Sequence, residues 1–213
     1  MTIHRPGLPG DLPPADVLWA RWALVAVLEA TSAKETDRYP SGAWIDDEGL
    51  HLDDGGCTWW TFSPLGGGRY VLYGEDESSG VKWHDTPIDM LAGGPDWLPY
   101  EELRDRLKGN ELGCVYWYEN AAWARAPYPD DLDDDGLDCG MSRFVERDGL
   151  LLLRLDSVGK GDGPTRAELL DAAEAGAVTP DLLERLGPRT DGEPRDLPAM
   201  LRACSMVEKC TLP

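Results

Sequence analysis

Gly56–Asp85 reads GCTWWTFSPLGGGRYVLYGEDESSGVKWHD, and this stretch decides the fold. Three runs in it have strand character: Cys57–Phe62, Arg69–Gly74 and Val81–His84. The turns Pro64–Gly68 and Ser78–Gly80 separate them. Its rings (Trp59, Trp60, Phe62, Tyr70, Tyr73, Trp83) favour a pleated, half-buried surface, and glycine clusters break such runs. The pattern predicts a three-stranded meander.

Working outward, Ala43–Asp46 and Leu50–Asp53 flank an Asp47-Glu48-Gly49 turn, which predicts a hairpin leading into the meander. Upstream, Ala15–Ala33 carries Val17, Leu18, Trp22, Val25 and Leu28 near helical spacing, with Arg21 and Glu29 expected to face water. Downstream, Thr86–Ala92 and Leu98–Lys108 read as two helices broken by Gly93-Gly94-Pro95. Leu112–Tyr118 is apolar on both faces, as a central strand is, and Asn120–Arg125 is its expected neighbour. Pro127–Gly140 reads as an acidic loop. Arg143–Arg147, an Asp148-Gly149 turn and Leu150–Leu155 read as a second hairpin. Thr165 and Glu168 form a capping box, Thr179 caps Pro180–Leu186, and Leu197–Lys209 closes the chain as a helix.

The fold class that follows is α+β. A mainly antiparallel sheet of meander and hairpins is joined by an N-terminal helix, a helical insertion and a small C-terminal helical annex. By composition the chain divides into an extended arm (1–14), an α+β domain (15–156), a linker (157–164) and the annex (165–213). A chain of 213 residues buries roughly 70% of its unfolded surface and needs no staples to fold.

Charge is the strongest compositional signal: 40 acids against 20 bases, a net of −20. Residues 164–213 hold nine acids and six bases, so the first 163 residues carry −17. The acids gather in turns at Asp46–Glu48, Asp53–Asp54, Glu75–Glu77 and Asp130–Asp138. Such a surface repels nucleic acid and anionic membranes and steers basic partners, including proteins that themselves bind nucleic acid. The five cysteines form no C-x-x-C pair, and Cys57 and Cys114 sit in apolar runs, which predicts reduced thiols and a cytosolic protein. The N-terminal MTIHRPGLPGDLPP lacks the apolar core of a signal peptide, and Val17–Leu28 is too short to span a bilayer.

Asp131, Asp133 and Asp135, followed by Gly136, match the first half of an EF-hand calcium loop, which makes them the candidate ligands for Ca²⁺ or Mg²⁺. The match ends there, because Ser142 stands where the bidentate carboxylate belongs. A solvated acidic loop is the competing reading; otherwise no cofactor is expected. His84, Asp85 and Asp89 lack a second anchored base. Gly66–Gly68 before Arg69 lacks the Lys-Ser/Thr ending of a phosphate loop, and no G-x-S-x-G occurs. GCVYW at Gly113 resembles GCTWW at Gly56, but no longer period surrounds the two.

Acidic turns beside large rings have the composition of a docking face. Trp60, Tyr73 and Trp83 are the candidate anchors, with Glu75, Asp76, Glu77, Asp130 and Asp134 as the acidic rim. In composition and in this aromatic-plus-acidic meander the chain resembles the immunity proteins of bacterial toxin systems. Fifteen arginines against five lysines resemble the usage of high-GC actinobacteria. The resemblance implies an antitoxin-type module neutralising a basic toxin domain, without catalysis. The alternatives are a hydrolase dependent on a divalent cation at the aspartate triple, or a regulatory subunit docking through residues 165–209.

Overall fold

The computed structural model describes residues 3–152, 163–189 and 192–211. Its centre is one six-stranded sheet: β1 (Gly42–Asp46), β2 (Gly49–Asp53), β3 (Thr58–Pro64), β4 (Tyr70–Asp76), β5 (Cys114–Glu119) and β6 (Ala122–Arg125). Strand order follows chain order, and every neighbouring pair is antiparallel. The helices are α1 (Ala15–Glu29), α2 (Ser32–Thr36), α3 (Tyr100–Lys108), α4 (Leu137–Val145), α5 (Arg147–Leu152), α6 (Arg166–Glu174), α7 (Pro180–Glu184) and α8 (Leu197–Thr211). The protein is of the α+β class.

Strand alternation sends side chains into two cores. Leu50, Leu52, Trp60, Phe62, Leu72, Cys114 and Tyr116 face a helical layer built on α1. Val71, Tyr73, Val115 and Trp117 face a thinner cover made by α3 and the chain from Val81 to Leu98. A meander buried on both faces over β3–β5 explains why those strands read as continuous apolar runs.

Helix α1 is buried on nearly all sides, with Trp22 stacked on Phe144 at 4.9 Å and on Phe62 at 6.1 Å. Arg21 does not face water. Its guanidinium donates to the Val145 and Phe144 carbonyls that end α4 and to Glu174 of α6. Glu29 is likewise engaged, accepting from the Ala43 amide at 2.8 Å. Leu169, Leu170, Ala173, Leu183, Met200 and Ala203 join the same core as α1, so α6–α8 pack into the body rather than hanging beside it. The segment 3–14 also docks: the Gly7 carbonyl accepts from Arg125, and its amide donates to Asp135.

Three expected elements take other forms. Val81–His84 is not a strand; Gly80–Trp83 is a single 3-10 turn, because the Gly80 amide bonds to the Asp134 carbonyl instead of a sheet neighbour. The third strand of the meander is β5. Thr86–Ala92 forms turns rather than a helix, since the Asp89 carboxylate takes the Leu91 amide that a helix would use. The hairpin expected at 143–155 is the helix pair α4 and α5, with Gly149 inside α5; residues 153–155 lie outside the described residues. Leu137, Met141, Phe144 and Val145 are buried at helical spacing that begins inside the acidic tract. Of the expected linker, 157–162 also lies outside the described residues. Among the described residues no helix is long and apolar enough to cross a membrane.

Candidate functional site: the acidic pole

Antiparallel order decides which turns share an end of the sheet. The β2–β3 turn, the exit of β4 and the start of β5 lie at one end, and the β1–β2 turn lies at the other. Asp53, Asp54 and Glu77 therefore sit together. The loop 130–138 joins them through the Gly80–Asp134 backbone bond, and His84 reaches Asp131 at 3.2 Å. The Glu77 amide closes the corner by donating to the Cys57 carbonyl at 2.9 Å. Asp46–Glu48 occupies the opposite end, where Lys209 pairs with Asp47. The acidic corners thus form two groups, and the larger one is a pole.

Trp83 stands on this pole with 77% of its surface exposed, its indole N–H directed at the Glu77 carbonyl 3.4 Å away. A tryptophan is rarely left so open, and here Glu77, Asp85, Asp130, Asp131 and Asp133 are exposed with it. Asp134, half-buried, is near Arg5, which also binds Asp138.

The other candidate anchors are core residues. Trp60 is fully buried beneath Gly140 of α4, where an added Cβ would land on its indole. Tyr73 is buried with its hydroxyl donating to Glu102 at 2.6 Å. Glu75 is buried in an ion pair with Lys82 at 2.5 Å. Asp76 is buried too. Burial alone would raise its carboxyl, but hydrogen bonds from Cys139, Ser78 and Thr58 outweigh that and hold it at about 2. Tyr73, Glu75 and Asp76 are enclosed because β4 continues to Asp76 between two cores, and Trp60 lies beside them on β3. Trp83, Glu77, Asp130 and the half-buried Asp134 are what the pole presents.

The aspartate triple does not converge on one point. Asp131 turns to His84, Asp133 is exposed, and Asp135 is 1% exposed, accepting from the Gly7 and Leu137 amides and facing the Tyr116 hydroxyl. Gly136 keeps the left-handed backbone (φ +80°) that the calcium-loop pattern asks of it, but uses it to start α4. Among the described residues the group that meets metal-ligand spacing is Asp46, Glu48 and His51, which the sequence reading did not assemble. The available signal was the placement of His51 between Leu50 and Leu52, which turns it to the opposite face of β2.

None of the thiols is activated. All five cysteines are free, and every thiol is held above its ordinary value: Cys114 by burial, Cys57 by Glu77, Cys139 by its bond to Asp76 (about 11), Cys204 by burial (about 11) and Cys210 by burial. Such thiols are poor nucleophiles at neutral pH. Two clefts open beside α8. One of about 520 Å³ is lined by Trp44, Lys34, Arg38 and Arg202, the other of about 440 Å³ by Trp19, Tyr70 and Cys204, and neither holds a histidine. Comparison with family models, curated proteins and solved structures finds no match, so function rests on this geometry.

Proposed function

We propose that the protein is an acidic binding module that docks a basic protein surface with the pole, in the manner of an immunity protein occupying a toxin domain. The observation that carries this reading is Trp83, 77% exposed among carboxylates contributed by three separate chain segments. Carboxylates on a common end raise the association rate of a cationic partner by about 10 to 1,000-fold at low salt. Burial of the exposed indole then sets the lifetime of the complex, as aromatic anchors do at hot spots. A polar rim around one large ring matches the layout of a standard interface.

The test is capture of the partner by the tagged protein in its native host, followed by reconstitution of the purified pair. Association is expected to slow at least tenfold between about 50 and 300 mM salt. Trp83→Ala is expected to raise Kd by roughly 30-fold, about 2 kcal/mol, mainly through faster dissociation. A complex indifferent to both changes, yet weakened by Asp47→Asn at the opposite end, would place docking elsewhere and end this proposal.

A further inference from the structure

His51 lies beside Thr61 and Tyr73 on the sheet face whose centre α3 covers, 8% exposed, with the Trp44 ring stacked on it at 5.0 Å and 15°. Its Nδ1 is 3.1 Å from Thr61 Oγ1, and its Nε2 is 2.8 Å from Asp46 Oδ1. Thr61 sits opposite Tyr73 in the register, and the Tyr73 phenol donates to Glu102 at 2.6 Å; Glu102 also receives Arg106 at 3.2 Å.

The two edges of the ring are used differently. Nδ1 is held by Thr61 on the inner side, so Nε2 is the nitrogen that faces the carboxylates. One ligand atom each from Asp46, Glu48 and His51 lies within 4.8 Å of the other two, the spacing at which three donors can share one ion.

We infer that Asp46, Glu48 and His51 form a binding site for a divalent first-row transition metal of the zinc type, at the opposite end of the sheet from the acidic pole. One imidazole and two carboxylates suit such an ion better than Ca²⁺ or Mg²⁺, which prefer all-oxygen shells. Zinc holds nitrogen and oxygen ligands at about 2.0–2.2 Å, so tetrahedral donors sit about 3.3 Å apart. His51 and Asp46 need to part by a few tenths of an ångström, and exposed Glu48 must swing inward on its hairpin turn. Thr61 supplies the outer hydrogen bond that metal-bound imidazoles characteristically make through their second nitrogen. Three protein ligands leave a fourth position for water, facing solvent.

The experiment is calorimetric titration of the untagged, chelator-treated protein, its exposed thiols alkylated with iodoacetamide, with ZnCl₂, CoCl₂ and MgCl₂. One saturable site for Zn²⁺ and Co²⁺ and none for Mg²⁺ is expected. Glu48→Gln sits at an exposed turn and leaves the fold intact by circular dichroism; it should weaken binding at least tenfold. His51→Gln should abolish binding. Thr61→Val should weaken it by about 10 to 100-fold, the usual effect of removing an outer-shell partner. Quenching of fluorescence by Co²⁺ should fall in Trp44→Phe. Absence of saturable heat up to 1 mM Zn²⁺ would leave a His51–Asp46 side-chain pair only and overturn the site. Affinity unchanged in both Glu48→Gln and His51→Gln would overturn it equally.

Discussion

Asp135 and Tyr116 meet 2.7 Å apart in the interior and tie the acidic loop to β5. The phenol shares its one proton between Asp135 and the Gly7 carbonyl, 2.8 Å away, so the N-terminal segment is fastened at the same point. Asp135→Ala strips the Gly7 and Leu137 amides of their acceptor and leaves Tyr116 with the Gly7 carbonyl alone. It is expected to cost about 3 kcal/mol in urea unfolding, and Tyr116→Phe about 1 kcal/mol, since Arg125 still holds the Gly7 carbonyl. A loss below 1 kcal/mol for Asp135→Ala would mean the carboxylate is not structural and reopen the calcium-loop reading.

Acid should unfasten the pole through Asp76. Its carboxyl lies near 2 in the folded protein against 3.8 ordinarily, so the folded state favours the ionised form. That contribution, about 2 kcal/mol, is present above the ordinary value and is lost as pH falls from about 4 through about 2. Urea midpoints at pH 5, 4, 3 and 2 should fall more steeply for the wild type than for Asp76→Asn. Parallel curves would show that the three donors contribute nothing to stability.

The first hairpin and the first two strands of the meander were legible because β1–β4 are rich in aromatic and branched residues and their turns carry glycine. The capping box at Thr165 and Glu168 was legible because it is a local device that needs no tertiary partner. What could not be read was the fate of each ring. Trp60 and Trp83 both fall in runs with strand character, yet one lies under Gly140, eighty residues away in the chain, and the other is left exposed. Helix α4 was hidden for a related reason: six aspartates in nine residues masked the spacing of Leu137 and Met141, and Asp148-Gly149 imitated a hairpin turn. His51 could not be joined to Thr61, Tyr73 and Glu102 without the register that places them side by side.

Gly140 is the point where α4 can approach the sheet. In most exposed helices, glycine to alanine stabilises by about 1 kcal/mol. Here the new methyl meets the Trp60 indole, in a core with no slack on either side of it. Gly140→Ala is expected to destabilise by about 1–3 kcal/mol, the range for overpacking. Pairing it with Trp60→Phe should recover part of the loss; a stabilised Gly140→Ala would show that α4 stands off the sheet.

Arg21 makes the helical annex inseparable from the sheet. With its side chain only 12% exposed it pairs with Glu174 at 2.8 Å and satisfies the carbonyls that end α4, so three helices depend on one guanidinium. Arg21→Met removes that charge, leaves Glu174 with Arg147 alone, and strands two carbonyls; about 2–3 kcal/mol is expected from urea unfolding. Removal of residues 163–213 goes further, because it bares the Leu24, Val27 and Leu28 side of α1 that α6 and α8 bury. The truncated chain should lose near-ultraviolet circular dichroism and cooperative unfolding. A shortened protein that still unfolds in one sharp transition would instead make residues 165–211 a detachable docking element, and the regulatory-subunit reading would gain on the acidic pole.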